Sequence, residues 1–208
     1  KPMVYYPIEA LVGAGIDEIM IVTGGNSAGD FLRLLGNGRE FGLGHLNYTY
    51  QEGEGGIAEA LGLCREFVDD EKVAVILGDN IFERSIRSSV EAFAEQERGA
   101  RILIKEVPDP ERFGVPRLDG EKIAEIIEKP EEPPSSYAVT GIYFYDEQVW
   151  EVIDGLEPSA RGELEITDVN NFYVRSSQME YSVLDGWWTD AGTFESLVHP
   201  FTILAAAP

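Results

Sequence analysis

Hydrophobic and polar residues follow two periods along this chain, and the change of period separates predicted strands from predicted helices. Short apolar or alternating runs are typical of strands, whereas apolar residues three and four positions apart are typical of helices. The strand pattern occupies residues 18–23, 46–50, 73–77, 101–107, 141–145 and 179–184. The helical pattern occupies residues 4–12, 28–35, 54–68, 85–97, 146–156 and 163–177. This alternation predicts a single α/β domain over residues 1–208, with a mainly parallel, Rossmann-like sheet flanked by helices.

A second, smaller feature is a hairpin between residues 112 and 130. Its arms, 112–119 and 122–130, flank the dipeptide Asp119-Gly120, which is a strong hairpin signal. Pro116 restricts the first arm to an edge or a bulge. The proline-rich stretch that follows reads as a loop, because the strand pattern resumes at once. We therefore expect a small β-hairpin subdomain on the main sheet.

The beginning of the chain raises a separate expectation. The first predicted element is a helix, and a parallel α/β sheet normally has a strand before such a helix. Because the sequence opens on Lys1 rather than Met, we expect an upstream strand that lies between segments 18–23 and 73–77. Without it, these neighbours would lack ladder partners, so we expect the 208-residue chain to be unstable or prone to aggregation.

The charge of the chain limits its partners. There are 38 acidic and 16 basic residues, which give a net charge of −22. Such a surface repels nucleic acid and anionic membranes, so we expect neither as a partner. It also repels phosphorylated metabolites, and an anion site would have to be built locally from Lys, Arg, a metal or backbone N–H groups.

The single cysteine, Cys64, excludes an internal disulfide and fits a reducing compartment, so a cytoplasmic location is expected. Cys64 shares a helical face with Ile57 and Leu61, which predicts a place in the core rather than a chemical role. No apolar run approaches the roughly 18 residues of a membrane span.

The stretch TGGNSAGD, Thr23 to Asp30, has the strand–glycine turn–helix order of a phosphate cradle. It matches neither G-x-G-x-x-G nor G-x-x-x-x-G-K-[ST]. A turn in which Gly29-Asp30 opens a helix is therefore the favoured interpretation.

Two aspartates follow predicted strands and are candidate metal ligands. Asp79 comes directly after the apolar run 73–77, in LGDN, and Asp190 ends a strand-like segment that leads through Ala-Gly-Thr into a predicted helix. The GDN stretch alone suits a structural turn equally well. Ligands of open α/β sheets bind at the carboxyl ends of strands, however, and two carboxylates can share one Mg²⁺ whose other ligands are phosphate oxygens and water.

Charged pairs occur in IIEKP, with Glu128 and Lys129, and in SARGELEIT, with Arg161 and Glu163. Such pairs are normally surface ion pairs. Beside a metal site, the same two cations could hold the phosphates that the acidic surface repels.

Six motifs in order, LGDNIF, DPERFGV, IIEKP, SSYAVTGIYFYD, PSARGELEITD and WWTDAGT, resemble those of the glucose-1-phosphate thymidylyltransferases, a family of sugar nucleotidyltransferases in dTDP-sugar synthesis. The resemblance runs from Lys1 to about Leu197. It implies a nucleotide-diphospho-sugar transferase fold and the transfer of a thymidylyl group from dTTP to α-D-glucose 1-phosphate, giving dTDP-glucose and pyrophosphate. It also implies a homo-oligomer, usually a tetramer.

The resemblance assigns roles to individual residues, and Asp79, Lys129 and Arg161 would form the catalytic set. Asp79 and Asp190 would hold Mg²⁺ against the nucleotide phosphates, and Lys129 and Arg161 would meet the sugar phosphate. The sugar hydroxyls would contact Glu128 and the backbone at Gly114 and Val139. Thymine would be read by the side-chain amide of Gln51 and the backbone N–H of Gly56.

The chain departs from the family pattern in two places. Glu59 stands where the pattern has glutamine, and the signature G-x-G-T-R-L, with the lysine that follows it, would precede KPM. Because this segment carries the triphosphate loop and the first central strand, we expect the 208 residues alone to be inactive. Two alternatives stay open at this point: a transferase for another nucleotide, such as a uridylyltransferase, or another sugar, and a non-catalytic sugar-nucleotide-binding relative.

Overall fold

The computed structural model describes residues 1–191. The helices are α1 (Tyr5–Ala14), α2 (Ala28–Leu35), α3 (Ile57–Gly62), α4 (Arg65–Val68), α5 (Arg87–Glu95), α6 (Val149–Asp154) and α7 (Ile166–Arg175). The strands are β1 (Ile19–Gly24), β2 (Leu46–Gln51), β3 (Val73–Ile76), β4 (Asn80–Phe82), β5 (Ala100–Glu106), β6 (Gly114–Asp119), β7 (Lys122–Glu128), β8 (Tyr137–Tyr145), β9 (Met179–Val183) and β10 (Trp188–Asp190). The helix predicted after Asp190, and the end of the resemblance near Leu197, lie outside the described residues.

The main sheet has four strands in the order β3-β8-β5-β9. Strands β5 and β9 are parallel, and β3 shares their direction because both β3 and β5 run antiparallel to β8. The predicted α/β class is confirmed, and the mainly parallel character holds for three of these four strands. Strand β8 is the exception, and it begins four residues earlier than the predicted segment 141–145.

Both faces of the main sheet are covered. On β5, Ile102 and Ile104 belong to the core cluster under α6 and α7, whereas Leu103 points to the opposite cluster with Phe144 of β8 and Phe93 of α5. This division follows from the two-residue period of a strand, and it explains why the strand sequences are almost continuously apolar.

Strands β1 and β2 form a separate parallel pair, and within residues 1–191 each of β1 and β3 pairs along one edge only. A cavity of about 1140 Å³ lies between them, lined by all of β1 and β3 and by apolar residues of α1 and α5. We call it the strand slot. These free edges are what the sequence predicts for segments 18–23 and 73–77; an upstream strand as the missing neighbour stays a prediction.

The hairpin is observed where it is predicted: β6 and β7 are antiparallel and turn at Gly120, whose φ is +60°. Asn171 on α7 fixes the hairpin to the domain, because its side chain exchanges two hydrogen bonds with the backbone of Ile126. Helix α7 therefore also holds the last residues of β7 in place.

The predicted helix 54–68 is wrong as one element, because the chain forms α3 and α4 with a break at residues 63 and 64. Glycine is a poor helix former, and a Cβ at Gly62 would lie 3.4 Å from Ile153 of α6. The break and the close approach of α6 therefore occur together. Cys64 is buried, as predicted.

No helix in the described part of the chain is long and apolar enough to span a membrane.

Candidate active site

A cavity of about 260 Å³ opens at the end of β3 and gathers most of the predicted site residues. We call it the acidic cavity. Seven of the nine predicted residues line it: Asp79, Gly114, Glu128, Lys129, Val139, Arg161 and Asp190. Segments far apart in the sequence thus converge on one small volume.

The two aspartates are brought together by the short pair β4–β10. Asp190 lies opposite Asn80 in this antiparallel ladder, and the backbone N–H of Ala191 donates to the carbonyl of Asp79 at 2.7 Å. Strand β4 was not predicted, because the sequence suggested only a turn after the end of β3. Its pairing with β10 places Asp79 and Asp190 on the same wall of the acidic cavity.

Asn80, which sequence reasoning missed as a site residue, fixes this wall. It is almost fully buried, and its Oδ1 accepts from the backbone N–H of Gly141 at 3.0 Å and from Nε1 of Trp188 at 2.7 Å. Because both partners are donors, the Nδ2 group must face the other way, where it donates to Asp79 Oδ1 at 2.8 Å. The second carboxylate oxygen of Asp79 is thereby left for another partner.

Asp190 is held in an environment that disfavours its charge. Burial raises the pKa of its carboxyl, the Arg112 guanidinium opposes this, and the negative charge of Asp79 adds to the increase. Arg112 Nη2 lies 3.4 Å from Asp190 Oδ2, while its Nη1 is bound to Asp109 at 2.8 Å. The two aspartates therefore repel each other, and one arginine compensates only in part.

The donor set fits a hard divalent cation. Asp79 and Asp190 offer carboxylate oxygens on one wall, which Mg²⁺ prefers as ligands. Among residues 1–191, there is no group of three or more His, Cys, Asp or Glu side chains arranged to hold a metal ion. Two carboxylates without a complete protein cage suit Mg²⁺, which usually keeps water and phosphate oxygens as its other ligands.

Glu128, which also lines the cavity, is oriented by a hydroxyl. Thr167 on α7 donates to Glu128 Oε2 at 2.7 Å, while Lys129 Nζ lies 3.9 Å from Oε1. The backbone of Lys129 is left-handed, with φ of 43°, and its N–H donates to Phe113 at 2.9 Å. Such a conformation is strained for a residue other than glycine, and strain of this kind is concentrated at functional sites.

Arg161 is held by two hydrogen bonds from its guanidinium to one carboxylate. Its Nε and Nη2 donate to Glu165 at 3.1 and 2.7 Å, and Ser159 donates to the same carboxylate at 2.7 Å. Desolvation acts to raise the pKa of Glu165, but the hydrogen bonds from Arg161 and Ser159 and the charge of Arg161 bring it below its usual value. Glu165, rather than the predicted neighbour Glu163 at 3.5 Å, is thus the main partner of Arg161.

The remaining two predicted residues, Gln51 and Gly56, line the strand slot instead. Gly56 precedes α3 with a left-handed φ of +93°, and an added Cβ would lie 2.5 Å from the carbonyl oxygen of Leu164. Gln51 ends β2, beside Gly24 of β1. The slot and the acidic cavity share Ile57, Leu77 and Glu163 in their walls, so the two volumes adjoin.

Two residues that the sequence analysis did not predict, Glu165 and Arg112, do carry a signal in the sequence. Arg161 and Glu165 are four positions apart, the spacing at which side chains meet on a helix or turn, and Arg112 follows Asp109 by three. Thr167 and Asn80 gave no such signal, because their partners come from other elements.

Comparison with known proteins gives a consistent result. The family model described as "Nucleotidyl transferase" matches residues 1–206. A glucose-1-phosphate thymidylyltransferase of Neisseria meningitidis serogroup A is 41% identical over 201 residues, which cover 95% of this chain and 69% of that protein.

Among solved structures, a Bacillus anthracis protein provisionally assigned as a glucose-1-phosphate thymidylyltransferase, crystallised with sucrose, superposes with a TM-score of 0.93 at 50% identity. The match covers all of this chain and 84% of that one. A UDP-glucose pyrophosphorylase complexed with UDP-glucose superposes with a TM-score of 0.82 at 22% identity, over 99% of this chain and 87% of that one, which is a likeness of fold.

Proposed function

This chain belongs to the nucleotidyl transferase family, and from that premise we propose that it transfers a thymidylyl group from dTTP to α-D-glucose 1-phosphate. The products are dTDP-glucose and pyrophosphate. The observation that carries the proposal is the acidic cavity, whose lining brings two carboxylates, Asp79 and Asp190, together with Lys129 and Arg161. Together with the thymidylyltransferase relative, this arrangement suits two phosphorylated substrates better than it suits a binding-only module.

The central physical problem of the reaction is repulsion between two anions. The chain carries a net charge of −22, so the surface does nothing to attract phosphates. Lys129 and Arg161 supply positive charge at the one place where it is needed, and we assign them to the sugar phosphate. Glu165 and Ser159 keep the Arg161 guanidinium in one plane, and holding two reactants in attack geometry can supply roughly 7–11 kcal/mol of the barrier.

The sugar is assigned to the part of the cavity next to Glu128. With Oε2 occupied by Thr167, Glu128 has Oε1 to accept from a sugar hydroxyl. The backbones at Gly114 and Val139 flank the same space and would supply further hydrogen bonds. A carboxylate with one oxygen held by a hydroxyl is a rigid acceptor, which favours one orientation of the pyranose ring.

We assign Asp79 and Asp190 to Mg²⁺, because they are hard oxygen donors with too few protein partners to neutralise them. When bound, the ion would neutralise charge on the nucleotide phosphates and so support in-line displacement at the α-phosphorus. The role of the chain itself is to hold both carboxylates on one wall, through Asn80 and the β4–β10 pair.

The base is assigned to the end of the strand slot that adjoins the acidic cavity, where Gln51 and the N–H of Gly56 would read thymine. These groups address the Watson–Crick edge, which thymine and uracil share, so a uridylyl transfer is the second candidate. Further proposals rest on the resemblance and on single features: a homo-oligomer, supported by Leu32, Leu34 and the edge residue Val183, which are exposed, and a cytoplasmic location, which suits a lone buried cysteine.

The test is pyrophosphate release in the presence of Mg²⁺, with dTTP and glucose 1-phosphate, by the chain extended at its N-terminus by a segment that carries G-x-G-T-R-L. Release that requires both substrates, together with dTDP-glucose in the product mixture, supports the proposal. Faster release with UTP would favour the second candidate. Binding of dTDP-glucose without turnover, when the upstream G-x-G-T-R-L segment is present, would contradict an enzyme and favour a binding protein.

A further inference from the structure

The side-chain amide of Gln51 is fixed in one orientation by its surroundings. Its Nε2 donates to the carbonyl oxygen of Gly56 at 3.0 Å and to Glu59 Oε2 at 2.6 Å. A carbonyl and a carboxylate can only accept, so the NH₂ end of the amide must face them. Both amide protons are used in this way. The oxygen Oε1 is therefore the one group that Gln51 has left for a ligand.

Room for the Glu59 carboxylate is created by a glycine. A Cβ at Gly55 would lie 2.0 Å from Glu59 Oε2 and 2.3 Å from Oε1. Gly55 does not have a left-handed backbone, so conformation is not the reason for a glycine there. The carboxylate of Glu59 occupies the space that any other side chain at position 55 would fill.

We propose that Glu59 is a positioning residue for nucleotide choice: it fixes Gln51 so that the pocket accepts a base with a ring N–H and rejects one without it. The inference rests on the proposed function, since it assumes that Gln51 faces the base. A carboxylate suits this task better than the glutamine of the family pattern. An amide at position 59 could turn either end toward Gln51, whereas a carboxylate always accepts.

The chemistry of the bases explains the expected selectivity. With Gln51 Oε1 as acceptor, and the Gly56 N–H, which donates to no acceptor within residues 1–191, the pocket presents an acceptor beside a donor. Thymine and uracil offer the complement, a protonated ring nitrogen N3 next to a carbonyl oxygen. Cytosine has a lone pair at N3, which would face the lone pairs of Oε1. An unpaired or opposed polar group in a partly buried site is strongly disfavoured.

The experiment compares dissociation constants for dTTP and dCTP, measured by calorimetry with Mg²⁺ on the chain extended at its N-terminus by a segment that carries G-x-G-T-R-L. Two variants disturb Glu59 by different routes: Glu59→Gln keeps its size, and Gly55→Ala displaces its carboxylate. Glu66→Gln, on the exposed side of α4, removes the same charge and is the matched control. We expect the preference for dTTP over dCTP to fall about tenfold in both variants, the value of one hydrogen bond to a charged group, and to be unchanged in the control.

The outcomes separate this inference from the function on which it rests. A purely structural role for Glu59 would weaken both nucleotides equally, so an unaltered ratio in both variants would overturn the inference and leave the proposed function standing. A chain that binds neither nucleotide would overturn both. Loss of preference in Glu66→Gln as well would mean that net charge, rather than the orientation of Gln51, sets the ratio, and would also overturn the inference.

Discussion

Thr167 donates its hydroxyl to Glu128 across 2.7 Å, and this bond joins helix α7 to the end of strand β7 at the acidic cavity. The contact occupies one carboxylate oxygen, Oε2, and leaves Oε1 without a hydrogen bond within residues 1–191. The two side chains are 39 positions apart in the sequence. Through this bond, helix α7 would help to orient the proposed sugar ligand.

The first prediction follows from that bond. In Thr167→Val the hydroxyl is lost at nearly constant volume, so Glu128 becomes free to rotate. We expect KM for glucose 1-phosphate to rise about tenfold, the value of a hydrogen bond to a charged group, with KM for dTTP unchanged. Steady-state kinetics with each substrate varied in turn measures this. Thr167→Ser should restore the wild-type value, and an equal rise for both substrates would point to a general disturbance of α7.

Replacement of each aspartate by asparagine is predicted to have a different main effect: a loss of activity at Asp79 and a gain in stability at Asp190. Asp79→Asn should reduce kcat about a hundredfold or more, the usual effect of removing a group that stabilises transition-state charge. KM should change little. Activity measured over a range of Mg²⁺ concentrations is the test, and a kcat within threefold of wild type would exclude Asp79 from the assigned role.

Asp190→Asn should instead stabilise the metal-free protein at neutral pH. Burial and the charge of Asp79 raise the folded-state pKa of Asp190, so its ionised form is disfavoured by folding. This penalty is fully present above the folded pKa and disappears as the pH falls below the unfolded value. Thermal unfolding with a chelator, at neutral and at acid pH, measures the difference. Asp119→Asn on the exposed hairpin turn is the control, and a stabilisation that persists at acid pH would contradict an origin in the charge of Asp190.

Cys64 provides a prediction about reactivity. Burial raises the pKa of its thiol to about 11, so at pH 8 only about one molecule in a thousand would carry the thiolate. Alkylation should therefore be slow in the folded protein and become fast in denaturant. Labelling by iodoacetamide, followed by mass spectrometry, measures both rates. Fast labelling of the folded chain, with loss of nucleotide binding, would place Cys64 near the ligand instead of in the core.

Particular residues show how far the sequence could predict the fold. Strand β3 was identified correctly, because an apolar run that ends in Gly-Asp is a local signal. The role of Asp79, three residues after that strand, stays a prediction. The direction of β8 was beyond reach, since a strand has the same period in both directions and its orientation depends on the hairpin that precedes it. The break between α3 and α4 depends on the approach of Ile153 to Gly62, which is a contact between distant segments.

The candidate site divides in the same way. Motif resemblance supplied Asp79, Asp190, Lys129 and Arg161, and the acidic cavity gathers all four. Asn80 and Thr167 were not predicted, because each depends on a partner that is distant in the sequence. Asn80 accepts a hydrogen bond from Trp188, and Thr167 donates one to Glu128. Glu59 departs from the family pattern, but its bond with Gln51 joins α3 to the end of β2, and no local pattern predicts such a contact.

The last prediction concerns the strand slot between β1 and β3. Two free strand edges that face an apolar cavity of about 1140 Å³ suit an extended apolar segment parallel to both. Exposed edges of this kind also promote association between chains. We therefore expect the 208-residue chain to aggregate at concentrations where proteins of its charge stay dispersed, and the amides of β1 and β3 to exchange hydrogen faster than those of β5 and β8.

Adding an N-terminal segment that carries G-x-G-T-R-L, or a six-residue Val/Ile peptide flanked by lysines, should slow exchange in both strands and raise the melting temperature. Each amide paired in the slot would remove an unsatisfied group worth roughly 1–3 kcal/mol, against a total stability of about 5–15 kcal/mol. The same peptide with a central proline cannot complete the ladder and is the matched control. Because the added segment also supplies the expected triphosphate loop, it should produce pyrophosphate release that the peptide does not. Slow exchange in β1 and β3 of the chain alone would show that the slot is closed, and would remove the reason to expect a strand there.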